Sequence, residues 1–157
     1  MIRDIIANNQ THMLIGNLTM GVTLKVLNWK HELANAIPDK AVGISLASLA
    51  GNELFTSYVT EISPQSFVAA HYHPEGIEIY QILSGQGMMK TGVVLPDHTV
   101  KWNQPTEVQS GDFFTIQPGT VHRLENNSPE NLILIVTCSP SNLVHNRVVV
   151  EKGYCGI

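Results

Sequence analysis

Apolar and polar positions trade places early in this chain. Met20, Val22, Leu24 and Val26 interleave with Gly21, Thr23 and Lys25, the period of two that predicts a strand. Helical spacing is confined to the beginning, where Ile2, Ile5 and Ile6 predict a short helix. A second short helix is expected over His31 to Ile37, stopped by Pro38. From Ala41 onward the texture is strand and turn. Short segments rich in β-branched and aromatic residues fall near 42–49, 54–62, 66–72, 78–83, 86–93, 98–102, 113–116, 121–126, 131–138 and 146–151. Between them stand breakers such as Gly51-Asn52, Ser63-Pro64, Ser84-Gly85, Pro96-Asp97, Ser110-Gly111 and Pro118-Gly119. Many short strands with Gly/Pro turns predict an all-β sandwich or barrel. A parallel α/β sheet is excluded by the lack of long helices between the strands.

Composition narrows the picture to one domain. The 157 residues show no repeat, linker or low-complexity segment, so a single domain over 1–157 is expected. Apolar residues make up 43% and charged residues 14%, against roughly a quarter charged in an average domain. That balance argues for a compact globule rather than a disordered chain. The nine Lys and Arg are scattered and the net charge is −4, so no basic stripe exists to hold nucleic acid. No apolar run is long enough to span a bilayer, and residues 1–10 lack the apolar core of an export signal. A cytoplasmic protein without a membrane partner is expected. Cys138, in a strand, and Cys155, in the tail, are too few for a disulfide scaffold.

The candidate chemistry starts at His71 and His73. One residue apart in a strand-like run, they share a face. By itself that is an ordinary pair of solvated side chains. Pro74 to Ile77 then predicts a turn, and Glu78 opens the next strand. A hairpin would bring Glu78 beside the histidines, and a carboxylate with two imidazoles suits a divalent transition metal. Glu75 is the rival carboxylate, placed in the turn and read as solvated. Downstream, Gly111 to His122 reads as turn, strand, Pro-Gly turn and a new strand opening on His122, with Asn126 further along the same face.

These residues resemble a known pattern. His71-x-His73, Glu78 and Gly85 look like the first cupin motif, and Gly111 to His122 with Asn126 like the second; they cover about 65–87 and 111–126. Two positions depart from it. Gln65 stands where the family often has glycine, and Gln117 where it usually has proline, Pro118 being displaced by one. The resemblance implies a single antiparallel jelly-roll β-barrel, with short helical segments at the N-terminus. It further implies one divalent metal ion held by His71, His73, Glu78 and His122. Fe, Mn, Ni and Zn all accept three imidazoles and a carboxylate, a set that leaves positions open for water or substrate.

Other residues are weighed against plainer roles. Tyr80 and Ile82 share parity with Glu78; Ile82 and Leu124 are read as barrel filling, and Tyr80 as a possible substrate contact or catalytic phenol. Asn126 is read as capping the Asn126-Asn127 turn. His12, His31, His98 and His145 match no ligand pattern and are placed on the surface. Residues 86–110 are expected to form a longer hairpin whose Met88, Met89 and Trp102 edge the barrel mouth or a homodimer interface. Pairing into a homodimer is the family's habit.

The function that the resemblance implies is action on a small molecule, with dioxygenase or oxidoreductase chemistry at the metal. Two alternatives stand beside it. Glu78 to Gly87 is similar to a signature of cupin-type sugar-phosphate isomerases, and a non-catalytic ligand binder or sensor would need the same barrel.

Overall fold

The computed structural model describes residues 24–150, together with the backbone of two short paired strands, β1 (Leu14–Ile15) and β2 (Leu18–Thr19). The helix expected over 2–6, His12, positions 20–23 and Cys155 lie outside the described residues. Leu24 to Val26, the described part of the strand expected over 20–26, are not a strand. Leu24 and Val26 are 83% and 81% exposed. Their alternation meets no sheet against which one face could be buried, and pattern without a partner makes no strand.

The first helix, α1 (Trp29–Leu33), starts earlier than expected because Asn28 caps it, accepting from the Lys30 N–H at 3.0 Å. Pro38 does not mark its end. It lies inside β3 (Ile37–Asp39), the terminal strand of a sheet, where a missing donor is tolerated. The chain continues through β4 (Ile44–Gly51), β5 (Thr56–Ile62), β6 (Ser66–Phe67), β7 (His71–Tyr72), β8 (Glu78–Ser84) and β9 (Gln86–Val94). Then come β10 (Val100–Trp102), β11 (Thr106–Gln109), β12 (Phe113–Ile116), β13 (Val121–Asn126), β14 (Leu132–Cys138), α2 (Ser141–Val144) and β15 (Val148–Val149).

The strands build two facing sheets in which every pairing is antiparallel. One runs β12-β8-β14-β5-β4-β3; the other runs β10-β9-β13-β7-β15, with β6 also on β13 and β11 also on β9. This is the expected jelly-roll barrel. Its core follows the period of two: Leu132, Leu134, Val136 and Cys138 of β14 are buried, as are Tyr80 and Ile82 of β8. They meet Met89 and Leu124 from the opposite sheet. Each fully buried aliphatic side chain contributes about 1.5–3 kcal/mol.

Several boundaries differ from the pattern. The run 66–72 breaks into β6 and β7, and 146–150, the described part of the run 146–151, holds only β15. α2 was not expected, because four residues carry no readable helical period. Residues 86–110 do form a long hairpin, with β10 and β11 both laid on β9. Met89 is not at a rim or interface: it is 4% exposed, in the core opposite Leu124. No helix among the described residues is long and apolar enough to cross a membrane.

Candidate metal centre

β13 lies in the middle of its sheet and places His122 directly opposite His71 of β7. His73 follows just beyond β7, two residues on, and points to the same interior. Glu78 arrives from elsewhere. The sequence suggested a hairpin partner for the histidine strand, but β8 belongs to the opposite sheet and does not pair with β7. The carboxylate therefore faces the imidazoles across the barrel interior, a relation that alternation along one strand does not encode.

All four side chains are buried, at 4% exposure or less. Their donor atoms lie within 4.8 Å of one another. The ring centroids of His71 and His122 are 4.3 Å apart and those of His71 and His73 5.2 Å. Each ring has its Nδ1 fixed by a backbone carbonyl: His71 on Ala69 at 2.7 Å, His122 on Thr120 at 3.0 Å, and His73 on Asn146. A carbonyl only accepts, so each Nδ1 carries its proton and donates it. Every Nε2 is then left as a lone pair when the ring is neutral.

The donor set fits a cation on a local observation. The Nε2 atoms of His73 and His122 are buried without a hydrogen-bond partner, and each lies 3.2 Å from a Glu78 oxygen. Two lone-pair atoms at that distance repel unless positive charge sits between them. In acid a proton can serve; with neutral rings a divalent ion bound by all four groups does so better. Burial, reinforced by the neighbouring His122, lowers the His71 pKa to about 3. Burial pushes the Glu78 carboxyl upward, but the imidazoles of His122 and His73 outweigh it and hold it well below the ordinary range. The set is thus a neutral imidazole and an ionised carboxylate at neutral pH where they matter most.

Tyr80, 5% exposed, donates its phenol O–H to Glu78 Oε2 at 3.2 Å. Burial and the neighbouring Glu78 raise its pKa well above 10, so the proton stays on the phenol. Cys138, across the β8–β14 ladder from Glu78, is a buried free thiol, pushed up by burial and by the same carboxylate. Asn126 caps its turn as read, its side chain accepting from Ser128 and donating to Ile62 and Glu130 carbonyls. Glu75 is exposed in the turn, and His31, His98 and His145 are exposed and apart from the site. Sequence reasoning missed Asn142, which donates to Glu78 Oε1 at 3.4 Å, and Asn146, whose carbonyl accepts the hydrogen bond from His73 Nδ1. Neither has a spacing that could have marked it.

A narrow cavity opens beside the ligands, with a water-accessible volume of about 30 Å³. Val42, Ile44, Leu46, Val68, Leu134 and Val136 give its wall an aliphatic part, and Arg147 also lines it. Arg147 is held by Asp39 in a two-pronged ion pair at 2.6 and 3.2 Å.

Solved structures share this architecture. An uncharacterised protein with a double-stranded β-helix domain from Klebsiella pneumoniae superposes with a TM-score of 0.61 at 21% identity, over 83% of this chain and 100% of its own. A recombinant oxalate oxidase solved with glycolate gives 0.57 at 18% identity, over 76% of this chain and 61% of its own. A candidate sugar phosphate isomerase from Acidithiobacillus ferrooxidans gives 0.52 at 20% identity, over 62% and 60%. At such identities these likenesses establish the fold. No curated protein shows significant sequence similarity to the chain. Residues 58–138, more than half of the sequence and inclusive of all four clustered side chains, match the cupin domain. The chain belongs to the cupin family.

Proposed function

We propose that this protein is a metal-dependent enzyme of dioxygenase or oxidoreductase type, acting on a small molecule in the cavity beside His71, His73 and Glu78. The observation that carries this is the convergence of three Nδ1-anchored imidazoles and one carboxylate, of which His71, His73 and Glu78 line that cavity. When bound, a divalent Fe, Mn, Ni or Zn ion supplies Lewis acidity, and a redox-active one also supplies electron transfer.

The chain's own residues favour redox chemistry over proton shuttling. The phenol of Tyr80 is committed to Glu78 and keeps its proton, so it is not a ready base. The hydroxyl of Thr60, on the cavity wall, is spent on the Ser45 carbonyl at 2.7 Å. A sugar phosphate would need many polar partners, and an aliphatic wall offers few. At about 30 Å³ the cavity admits only water-sized groups, so a small chelating head would enter it while an apolar body stays outside.

The test is oxygen uptake by protein stripped with chelator and reloaded with Fe(II) or Zn(II), screened with catechols, thiols and sugar phosphates. Uptake with iron and a small chelating substrate, lost with zinc, is the expected result. Turnover that survives in stripped protein would overturn the metalloenzyme reading. Oxygen-independent conversion of sugar phosphates with zinc would replace it with an isomerase, and ligand stabilisation without turnover with a binder.

A further inference from the structure

The segment after β14 leaves the barrel at Cys138, opposite Glu78, and returns at Val149, opposite His71. Both ends therefore lie against strands that carry clustered ligands. Between them the segment turns through α2 and is held by backbone bonds from His145 and Asn146 to the Ser141 carbonyl, at 2.9 and 2.8 Å. Arg147 pins it to Asp39.

Two asparagines on this arm complete a ring. His73 donates Nδ1–H to the Asn146 carbonyl. The Asn146 side chain donates to Asn142 Oδ1 at 2.9 Å, and Asn142 donates to Glu78 Oε1 at 3.4 Å. That carboxylate oxygen lies 3.2 Å from His73 Nε2, which closes the circuit. Asn146 also accepts from the Glu75 N–H at 3.2 Å and donates to the Glu75 carbonyl at 2.5 Å, fixing the turn between the two ligands. Asn142 is fully buried, at 0% exposure. A buried amide must find partners, and the partner found here is the one carboxylate of the cluster.

We propose that Asn142 and Asn146 are positioning residues of the metal centre, orienting Glu78 and His73 through this ring; the proposal rests on the metal-centre reading above. Amide donors suit the task because they do not titrate. They fix one edge of the carboxylate and the plane of the imidazole, so the ligands need little reorganisation to bind an ion. The arm lies outside the stretch that matches the cupin domain, residues 58–138.

The test uses full-length protein stripped by chelator and titrated with Co(II), reading both affinity and the visible ligand-field spectrum. Thermal unfolding and far-ultraviolet circular dichroism of the stripped forms report the fold. Asn142→Ala is expected to lose 10- to 100-fold in affinity and to alter the spectrum. Asn146→Ala, which keeps the backbone carbonyl for His73, should lose about tenfold. Val144→Ala, on the exposed side of the same helix, should match wild type. A purely structural role would lower the unfolding temperature but leave affinity and spectrum unchanged in the folded protein. That outcome, with both variants within twofold of wild type, overturns the proposal. Should Asn142→Ala fail to fold, Asn146→Ala alone decides it. Failure of wild-type protein to bind Co(II) would instead overturn the metal centre itself.

Discussion

Gln65 has a φ of 58°, the left-handed region where a side chain costs about 1–2 kcal/mol. Its family counterpart is often glycine, and the conformation explains why. Here the cost is partly offset, because the Gln65 side chain donates to the Asn127 carbonyl at 3.0 Å. Gln65→Gly should leave stability within about 0.5 kcal/mol of wild type, since relief of strain opposes the greater freedom of glycine in the unfolded chain. Gln65→Val should lose about 1–3 kcal/mol, a β-branched residue being the least tolerant of this backbone. Equal urea midpoints for the two variants would contradict the assignment. His71 sets a second expectation. Its pKa falls from near 6.5 in the unfolded chain to about 3 in the fold, so between those values only the unfolded state takes up the proton. Stability of the metal-free protein is therefore complete above pH 6.5 and falls as pH drops, by up to about 1.4 kcal/mol per pH unit for this one group. Glu78, also lowered, adds loss of the same sign further into acid. Unchanged urea midpoints from pH 7 to pH 4 would contradict it.

The turn between β7 and β8 decides which carboxylate serves. Glu78→Gln should cut metal affinity at least tenfold, removing the negative charge that the imidazoles surround. Glu75→Gln should be silent, because Asn146 engages only the Glu75 backbone and its side chain is exposed. Equal losses in calorimetric titration would show that the turn is misplaced. The four clustered residues were legible through their resemblance to the two cupin motifs, while strand parity placed only His71 and His73 on one face. What was not legible was which strand lies across from which. Alternation tells the face of a residue but not its neighbour, so Glu78 was expected beside the histidines and stands opposite them instead. The same limit hid Asn142 and Asn146. Their roles come from a short helix and a turn, where no period exists to mark them. The strand expected over Leu24–Val26 failed for the converse reason, a period with nothing to pack against.

At the scale of the whole molecule, the candidate metal centre draws on both sheets, with His71 and His122 on one and Glu78 on the other. Metal added at about a hundred times its dissociation constant should raise stability by about 2.7 kcal/mol. His122→Ala should reduce this gain by at least about 1.4 kcal/mol, one decade in affinity. Thermal shifts with Mn(II) or Zn(II) check both, and an equal shift in the variant would remove His122 from the ligand set. The barrel also has a seam. β3 and β15 are the terminal strands of their sheets, and the Asp39–Arg147 pair reaches from one to the residue preceding the other. Backbone ladders run only within each sheet, and at this edge a guanidinium and a carboxylate act as a clasp between the two. Such a wall breathes where it is clasped, not along its ladders. In deuterium exchange, Arg147→Gln should speed labelling of β3 and β15 and leave β13 and β14 slow. The barrel would then part at this edge, giving its buried interior a route to solvent without unfolding.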